Sequence, residues 1–263
     1  MVALCSPYHR GFNCDDESIR YPYKEDTVTP LMLGLYPGIL TFVIITSNEF
    51  YIIRNYMKSN KSLKKYPWKL YLWQLHIQSI PLGFAIVGSQ LITQISKYTI
   101  GRLRPHFIDI CMPKINSTGE KITRFSLCQN PQVYVLDYEC TRNIESYKIT
   151  DSHLSFMSGH SSHIAVSMIY LIIYLQARFC WKNCQISKQA IQTILFIIAF
   201  WVALSRISDY KHHWSDVLVG FLQGTFFAIL TALYGSNLFK RKNQDMIKEN
   251  FPDQTIKSAS MNV

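Results

Sequence analysis

The stretch LYLWQLHIQSIPLGFAIVGSQLITQIS, residues 70–96, runs for 27 residues without an Asp, Glu, Lys or Arg. A helix that crosses a bilayer needs about 20 predominantly apolar residues. Similar stretches elsewhere predict five spans in all, at residues 31–53, 70–96, 154–177, 189–205 and 217–239. Only 17% of the residues are charged, against about 25% in soluble domains. The expected fold is an all-α polytopic membrane helix bundle with a small extracellular or lumenal loop region.

The basic residues predict the orientation of these spans. The net charge is +10, and six basic residues but no acidic one lie between Arg54 and Lys69. Further basic clusters lie at residues 178–188 and 240–242, on the same side of the predicted spans. This asymmetry follows the positive-inside rule and favours anionic membrane lipid, rather than nucleic acid, as the partner of the charge.

This orientation divides the chain into segments. The N-terminal segment 1–30, the loop 97–153 and the turn 205–216 are expected on the extracellular or lumenal side. The membrane-embedded domain covers residues 31–239, and the tail 240–263 is expected in the cytosol. Asn116, in the sequon Asn116-Ser117-Thr118 of the outer loop, is a candidate glycosylation site. Five cysteines also fall outside, where disulfides persist, although their pairing stays open.

Three polar clusters are expected at the outer ends of the spans, on one side of the membrane. Their members are Lys97 and Arg104, then Ser158, Gly159 and His160, and finally Arg206, His212 and Asp216. A phosphate monoester carries up to two negative charges, which Arg can bind with a fork of donors and Lys as a point charge. We therefore predict a phosphoryl-transfer site that binds a lipid phosphate through fixed cations. With no magnesium motif in the sequence, neither a metal nor another cofactor is expected.

The chemistry suggests a role for each residue. His212 is the candidate nucleophile, because imidazole forms covalent phosphoryl intermediates. Asp216 lies four residues later, one helical turn on, and is expected to orient His212. His160 is the candidate general acid for the leaving group, while Ser158 and Gly159 offer hydrogen bonds to the phosphoryl group. Zinc binding by the clustered histidines is less favoured, since the neighbouring cations would repel a metal ion.

The three clusters resemble the signature motifs of the type 2 phosphatidic acid phosphatase superfamily, in particular its animal lipid phosphate phosphatase branch. The matching patterns are Lys97-x6-Arg104-Pro105, Ser158-Gly159-His160 and Ser205-Arg206-x5-His212-x3-Asp216. The resemblance implies a metal-independent integral membrane enzyme acting on phosphatidate, lysophosphatidate, ceramide 1-phosphate or sphingosine 1-phosphate. It also implies a phosphohistidine at His212, a proton donor at His160, and phosphate binding by the Lys and two Arg. The chain departs from the family in two ways: five of six spans are predicted here, the first being missing, and Met157 replaces the proline found in many relatives.

Other readings are weighed against this one. A catalytically silent relative that binds lipid phosphates or acts as a scaffold would be expected to lose the nucleophile or a phosphate-binding cation, and every motif position is present. A vanadate-dependent haloperoxidase shares the motif pattern but does not fit five predicted membrane spans. A phosphatase for a soluble sugar phosphate is less supported by the sequence around the motifs. The sequence does not distinguish plasma membrane from internal membranes, and it leaves open whether the protein forms a homo-oligomer.

Overall fold

The computed structural model describes residues 7–59, 67–123, 133–179, 184–236 and 238–239. Most of these residues are helical, and two short antiparallel pairs of strands lie among them. The helices are α1 (Pro30–Ser59), α2 (Pro67–Ile100), α3 (Phe107–Cys111), α4 (Ser146–Asp151), α5 (Gly159–Arg178), α6 (Gln185–Ser208) and α7 (Trp214–Leu230), and a π turn follows at Thr231–Gly235. The strands are β1 (Phe12–Asn13), β2 (Pro113–Ile115), β3 (Tyr134–Val135) and β4 (Tyr138–Cys140).

The predicted helix bundle is confirmed. Among the described residues, four helices are long and apolar enough to cross a membrane: α1, α2, α6 and the α7 region. The predicted third span corresponds to α5, which begins at Gly159 rather than at residue 154. This helix is the centre of the bundle and packs against α1, α2, α6 and α7. Because it faces other helices, it can carry buried polar residues such as Ser161, Ser162 and Ser167.

A glycine pair on α7 allows α5 and α7 to approach closely. Gly220 and Gly224 are four residues apart. A Cβ atom at Gly220 would collide with the backbone carbonyl of Ser158, which caps α5, and one at Gly224 would collide with the carbonyl of Ser162 within α5. Small residues at this spacing are a frequent contact in membrane helix pairs. The contact fixes the start of α5, which carries His160, against the start of α7, which follows His212.

The other end of α5 is held by a buried ion pair. Arg178 Nη2 lies 2.8 Å from Glu49 Oε2 of α1, and Tyr174 donates a hydrogen bond of 2.8 Å to Glu49 Oε1. Glu49 is fully buried and Arg178 is 7% exposed. We expected Arg178 to contribute to a basic surface cluster, but its charge is balanced inside the bundle. The other expected cytosolic features, at 60–66, 180–183 and 240–263, lie outside the described residues.

The predicted outer loop forms a small folded cap together with the N-terminal segment. Strand β1 pairs with β3, β2 pairs with β4, and a disulfide joins Cys111 to Cys140. Aromatic rings of Phe12, Phe107 and Tyr138 pack edge to face in the core of the cap. The side chain of Asn116 is exposed in a turn and donates a 2.7 Å hydrogen bond to Asp137 Oδ1. Cys5 and Cys128, two of the five cysteines expected on this side of the membrane, lie outside the described residues.

Candidate active site

The structure brings the three predicted clusters to a single cavity of about 320 Å³ at the end of the bundle where α2 ends and α5 begins. Six of the eight predicted residues line it: Lys97, Arg104, Gly159, His160, Arg206 and His212. The other two, Ser158 and Asp216, are fully buried behind its wall. Four segments of the chain therefore meet here, since the N-terminal segment also contributes Asp26 and Pro30.

Lys97 and Arg104 come from the end of α2 and the loop after it. Gly101 separates them with φ +56°, and a Cβ atom at this position would collide with the carbonyl of Tyr8. Only glycine combines this left-handed conformation with so close a backbone approach. The sharp turn at Gly101 ends α2 and directs the chain back over the cavity.

Arg104 is held at the cavity with part of its hydrogen-bonding capacity unused. Its Nη2 lies 2.6 Å from Asp151 Oδ1, and its backbone N–H donates 2.9 Å to the carbonyl of Ser152. Its Nε is buried and makes no hydrogen bond within the described part of the chain. An unpaired buried donor is costly, so this guanidinium suits a bound anion.

Arg206 lies on the last turn of α6 and is only 1% exposed. Its Nη1 is 2.7 Å from Asp26 Oδ1, and its Nη2 is 2.7 Å from Asp209 Oδ2. Asp209 is fixed in turn by Thr27, whose N–H and hydroxyl donate to the two carboxylate oxygens at 2.8 and 2.7 Å. The guanidinium is thus presented to the cavity in one orientation by two carboxylates.

His212 is oriented by a backbone carbonyl. Its Nδ1 lies 2.6 Å from the carbonyl oxygen of Ser155. A carbonyl can only accept, so Nδ1 carries the hydrogen, and Nε2 of the neutral ring keeps its lone pair. Burial, and then the charges of Arg104 and Lys97, lower the pKa of His212 well below its usual value. The residue is therefore neutral and has the tautomer that a nucleophile at Nε2 requires.

The expected contact between Asp216 and His212 is replaced by an indirect one. Asp216 Oδ2 accepts hydrogen bonds from Ser155 Oγ at 2.6 Å and from the backbone N–H of His213 at 3.1 Å. Its Oδ1 accepts from Arg102 at 2.5 Å. Asp216 is the third residue of α7, and such a carboxylate turns back to cap the helix N-terminus. It therefore holds Ser155, and Ser155 in turn holds His212.

His160 lies in the first turn of α5, with its Nε2 3.1 Å from the carbonyl oxygen of Val28. Nε2 is the donor, so a proton is available on the ring atom that reaches this wall of the cavity. The side chain of Ser158 does not line the cavity; it caps α5 by accepting from the N–H of Ser161. Gly159 does line it, and a Cβ atom there would lie 3.8 Å from Lys97 Nζ.

Sequence reasoning missed two charged residues of the cavity, Asp26 and Asp151, whereas Lys211 lies within the third predicted cluster. Lys211 Nζ lies 4.0 Å from the centre of the Tyr23 ring, and burial lowers its pKa. No local pattern marks Asp26 or Asp151, because each becomes part of the site only through tertiary contacts with an arginine.

Comparisons with known proteins agree with the motifs. The family model described as the PAP2 superfamily matches residues 78–240. A "Phospholipid phosphatase 2" of Homo sapiens is 39% identical over 255 residues, which cover 95% of this chain and 81% of that protein. The protein of the same name in Rattus norvegicus is 36% identical over 99% of this chain and 88% of its own. A "Putative phosphatidate phosphatase" of Drosophila melanogaster is 38% identical over 91% of this chain, which spans 65% of that relative. No solved structure matches the chain.

Proposed function

The chain belongs to the PAP2 superfamily, and on this premise we propose that it is an integral membrane lipid phosphate phosphatase. Its substrates are phosphate monoesters such as phosphatidate, lysophosphatidate, ceramide 1-phosphate or sphingosine 1-phosphate. The observation that carries the proposal is the cavity itself, where Lys97, Arg104 and Arg206 surround a neutral His212. Cations from three segments suit a dianionic phosphate without the help of a metal ion.

Catalysis takes place in two steps. His212 Nε2 attacks phosphorus in line, and the bond from phosphorus to the lipid oxygen breaks. For this step His160 carries a proton on both ring nitrogens, a state that the bound phosphate dianion favours; it gives the Nε2 proton to that oxygen, so the lipid leaves as an alcohol and the ring becomes neutral. The positive charge that builds on the His212 ring is stabilised through its Nδ1–H, which donates to the Ser155 carbonyl.

In the second step water attacks the phosphohistidine. The neutral His160 now accepts a proton from that water, which restores its Nε2–H, and the phosphorus–nitrogen bond to His212 breaks. Inorganic phosphate is released, and both histidines return to their starting state. The carboxylates Asp26 and Asp151 pair with the two arginines when no phosphate is bound. We expect the substrate oxygens to replace part of these contacts.

We further propose that α1, α2, α5, α6 and α7 are the five spans, with the cap and the cavity on the extracellular or lumenal side. The exposed Asn116 is then available for glycosylation. The site residues also favour an enzyme over a silent lipid-binding relative, because the nucleophile, the acid and the phosphate-binding cations all line one cavity.

The test is phosphate release from phosphatidate in mixed micelles, with and without excess EDTA. We expect the purified protein to remain active in the chelator and to form an acid-labile labelled phosphoenzyme. His212→Ala should abolish both turnover and labelling, while His76→Ala, changed far from the cavity on α2, should retain both. Full inhibition by EDTA would contradict the metal-free mechanism, and labelling of the His212→Ala protein would place the nucleophile elsewhere.

A further inference from the structure

A second, larger cavity of about 540 Å³ lies beside the candidate active site, between α1, α5 and α6. We refer to it as the α1–α6 groove. Its walls are almost entirely apolar, and Thr27 and Tyr36 supply the only side-chain hydroxyls among the residues that line it. Ile39, Val43 and Trp201 are more than half exposed along it. The groove therefore opens sideways, toward the hydrocarbon that surrounds the bundle.

The α1–α6 groove adjoins the catalytic cavity. Leu33 lines both. Val28 lines the groove, and its carbonyl accepts the hydrogen bond from His160. A molecule that extends from the cavity into the groove would therefore pass next to the proton donor, where the leaving oxygen of a phosphate ester must lie.

The depth of the groove matches one leaflet of a membrane. Along α1, the residues that line the groove run from Met32 to Val43. At a rise of 1.5 Å per residue, this part of the helix extends over about 16 Å. The hydrocarbon core of a bilayer is about 30 Å thick, so the groove is as deep as the hydrocarbon of the outer leaflet.

We propose that the α1–α6 groove binds the hydrocarbon chain of the substrate while its phosphate occupies the catalytic cavity. The inference rests on the proposed function and names the part of the lipid that the protein recognises beyond the head group. A neighbouring groove of about 300 Å³ between α1 and α2 fits a chain less well, because Thr41, Ser79 and Ser167 line it. The burial of each methylene group in an apolar wall is favourable, so the groove should select for chain length.

The experiment compares dioleoyl with dihexanoyl phosphatidate as substrates, presented in the same detergent micelles. Ile198→Trp places a large ring in the lower part of the groove on α6, below the reach of a short chain. We expect kcat/KM for the dioleoyl lipid to fall about tenfold or more and that for the dihexanoyl lipid to change less than twofold. Ile197→Trp is the matched control, because Ile197 is the residue next to Ile198 on α6 but is exposed and lies outside the groove.

Val43→Trp repeats the test from the α1 side of the groove, at a more exposed position that tolerates a larger side chain. Leu35→Trp, exposed on the same helix and outside the groove, is its control. An unchanged ratio of the two activities in both groove variants would overturn the proposal, as would an equal loss on both lipids. If the unmodified protein hydrolyses neither lipid, the proposed function itself is refuted. If it hydrolyses both lipids at a ratio that the variants do not alter, only the proposal that the groove binds the hydrocarbon chain is refuted.

Discussion

The contact from Asp216 to Ser155 should control the reactivity of His212. Ser155 and Asp216 are both fully buried, and the hydroxyl of the first donates 2.6 Å to the carboxylate of the second. A hydrogen bond to a charged group contributes about 1.5–3 kcal/mol, and about 1.4 kcal/mol corresponds to a tenfold change in rate. We therefore expect Ser155→Ala and Asp216→Asn each to lower kcat about ten- to a hundredfold, since the carbonyl that aligns His212 loses its support.

The two changes should not add, because both remove the same link to His212. The double variant should have a kcat close to that of the slower single variant, measured as phosphate release from phosphatidate micelles. Ser152→Ala is the control: this serine is equally buried but donates to the carbonyl of Ile149, and its loss should leave kcat within a fewfold. A wild-type kcat for Ser155→Ala beside an inactive Asp216→Asn would refute the indirect link and favour direct orientation of His212 by Asp216.

Three further predictions concern stability. Glu49→Gln should lower the free energy of unfolding by about 3–5 kcal/mol, because it leaves Arg178 buried without its carboxylate. In thermal unfolding in detergent, the double variant with Arg178→Met should recover most of this loss. A double variant as unstable as Glu49→Gln alone would contradict the prediction. Burial lowers the pKa of His106 from 6.5 to about 4, so near pH 5 the unfolded chain takes up a proton that the folded chain does not. The free energy of unfolding should therefore fall by about 2 kcal/mol as the pH drops from neutral to about 5. His106→Asn should lack this part of the loss, and a pH dependence equal to that of the unmodified protein would contradict the prediction. Gly224→Ala places a methyl group against the backbone of α5 and should lower the melting temperature, whereas Gly83→Ala, with open space around it, should not; equal effects would argue against close packing of α5 and α7.

The sequence predicts the meeting of the three clusters because the membrane limits where they can lie. Each cluster stands next to a long apolar stretch, and the basic loops place those ends of the spans on one side. Lys97, His160 and His212 are therefore restricted to one layer of the protein before any tertiary contact is known. Their residue types then indicate phosphate chemistry, and the structure places these side chains around one cavity.

Contacts made through the backbone could not be predicted in this way. The carbonyl that aligns His212 belongs to Ser155, and carbonyls are present at every position of the sequence. Spacing favoured Asp216 as the partner, since four residues form one helical turn. However, α7 begins only at Trp214, so His212 lies outside the helix and the turn that the spacing assumes does not form.

The N-terminal segment shows most clearly how the fold completes the site. Asp26 contacts Arg206 across 180 positions of the chain, Thr27 holds Asp209, and the carbonyl of Val28 accepts from His160. Three consecutive residues thus contact both the phosphate-binding side and the proton-donating side of the cavity. Since α1 begins two residues after Val28, at Pro30, a shift of α1 relative to α5 and α6 would change these contacts together. The same helix forms a wall of the α1–α6 groove, so binding of a lipid chain there would be coupled mechanically to the alignment of His160 and Arg206.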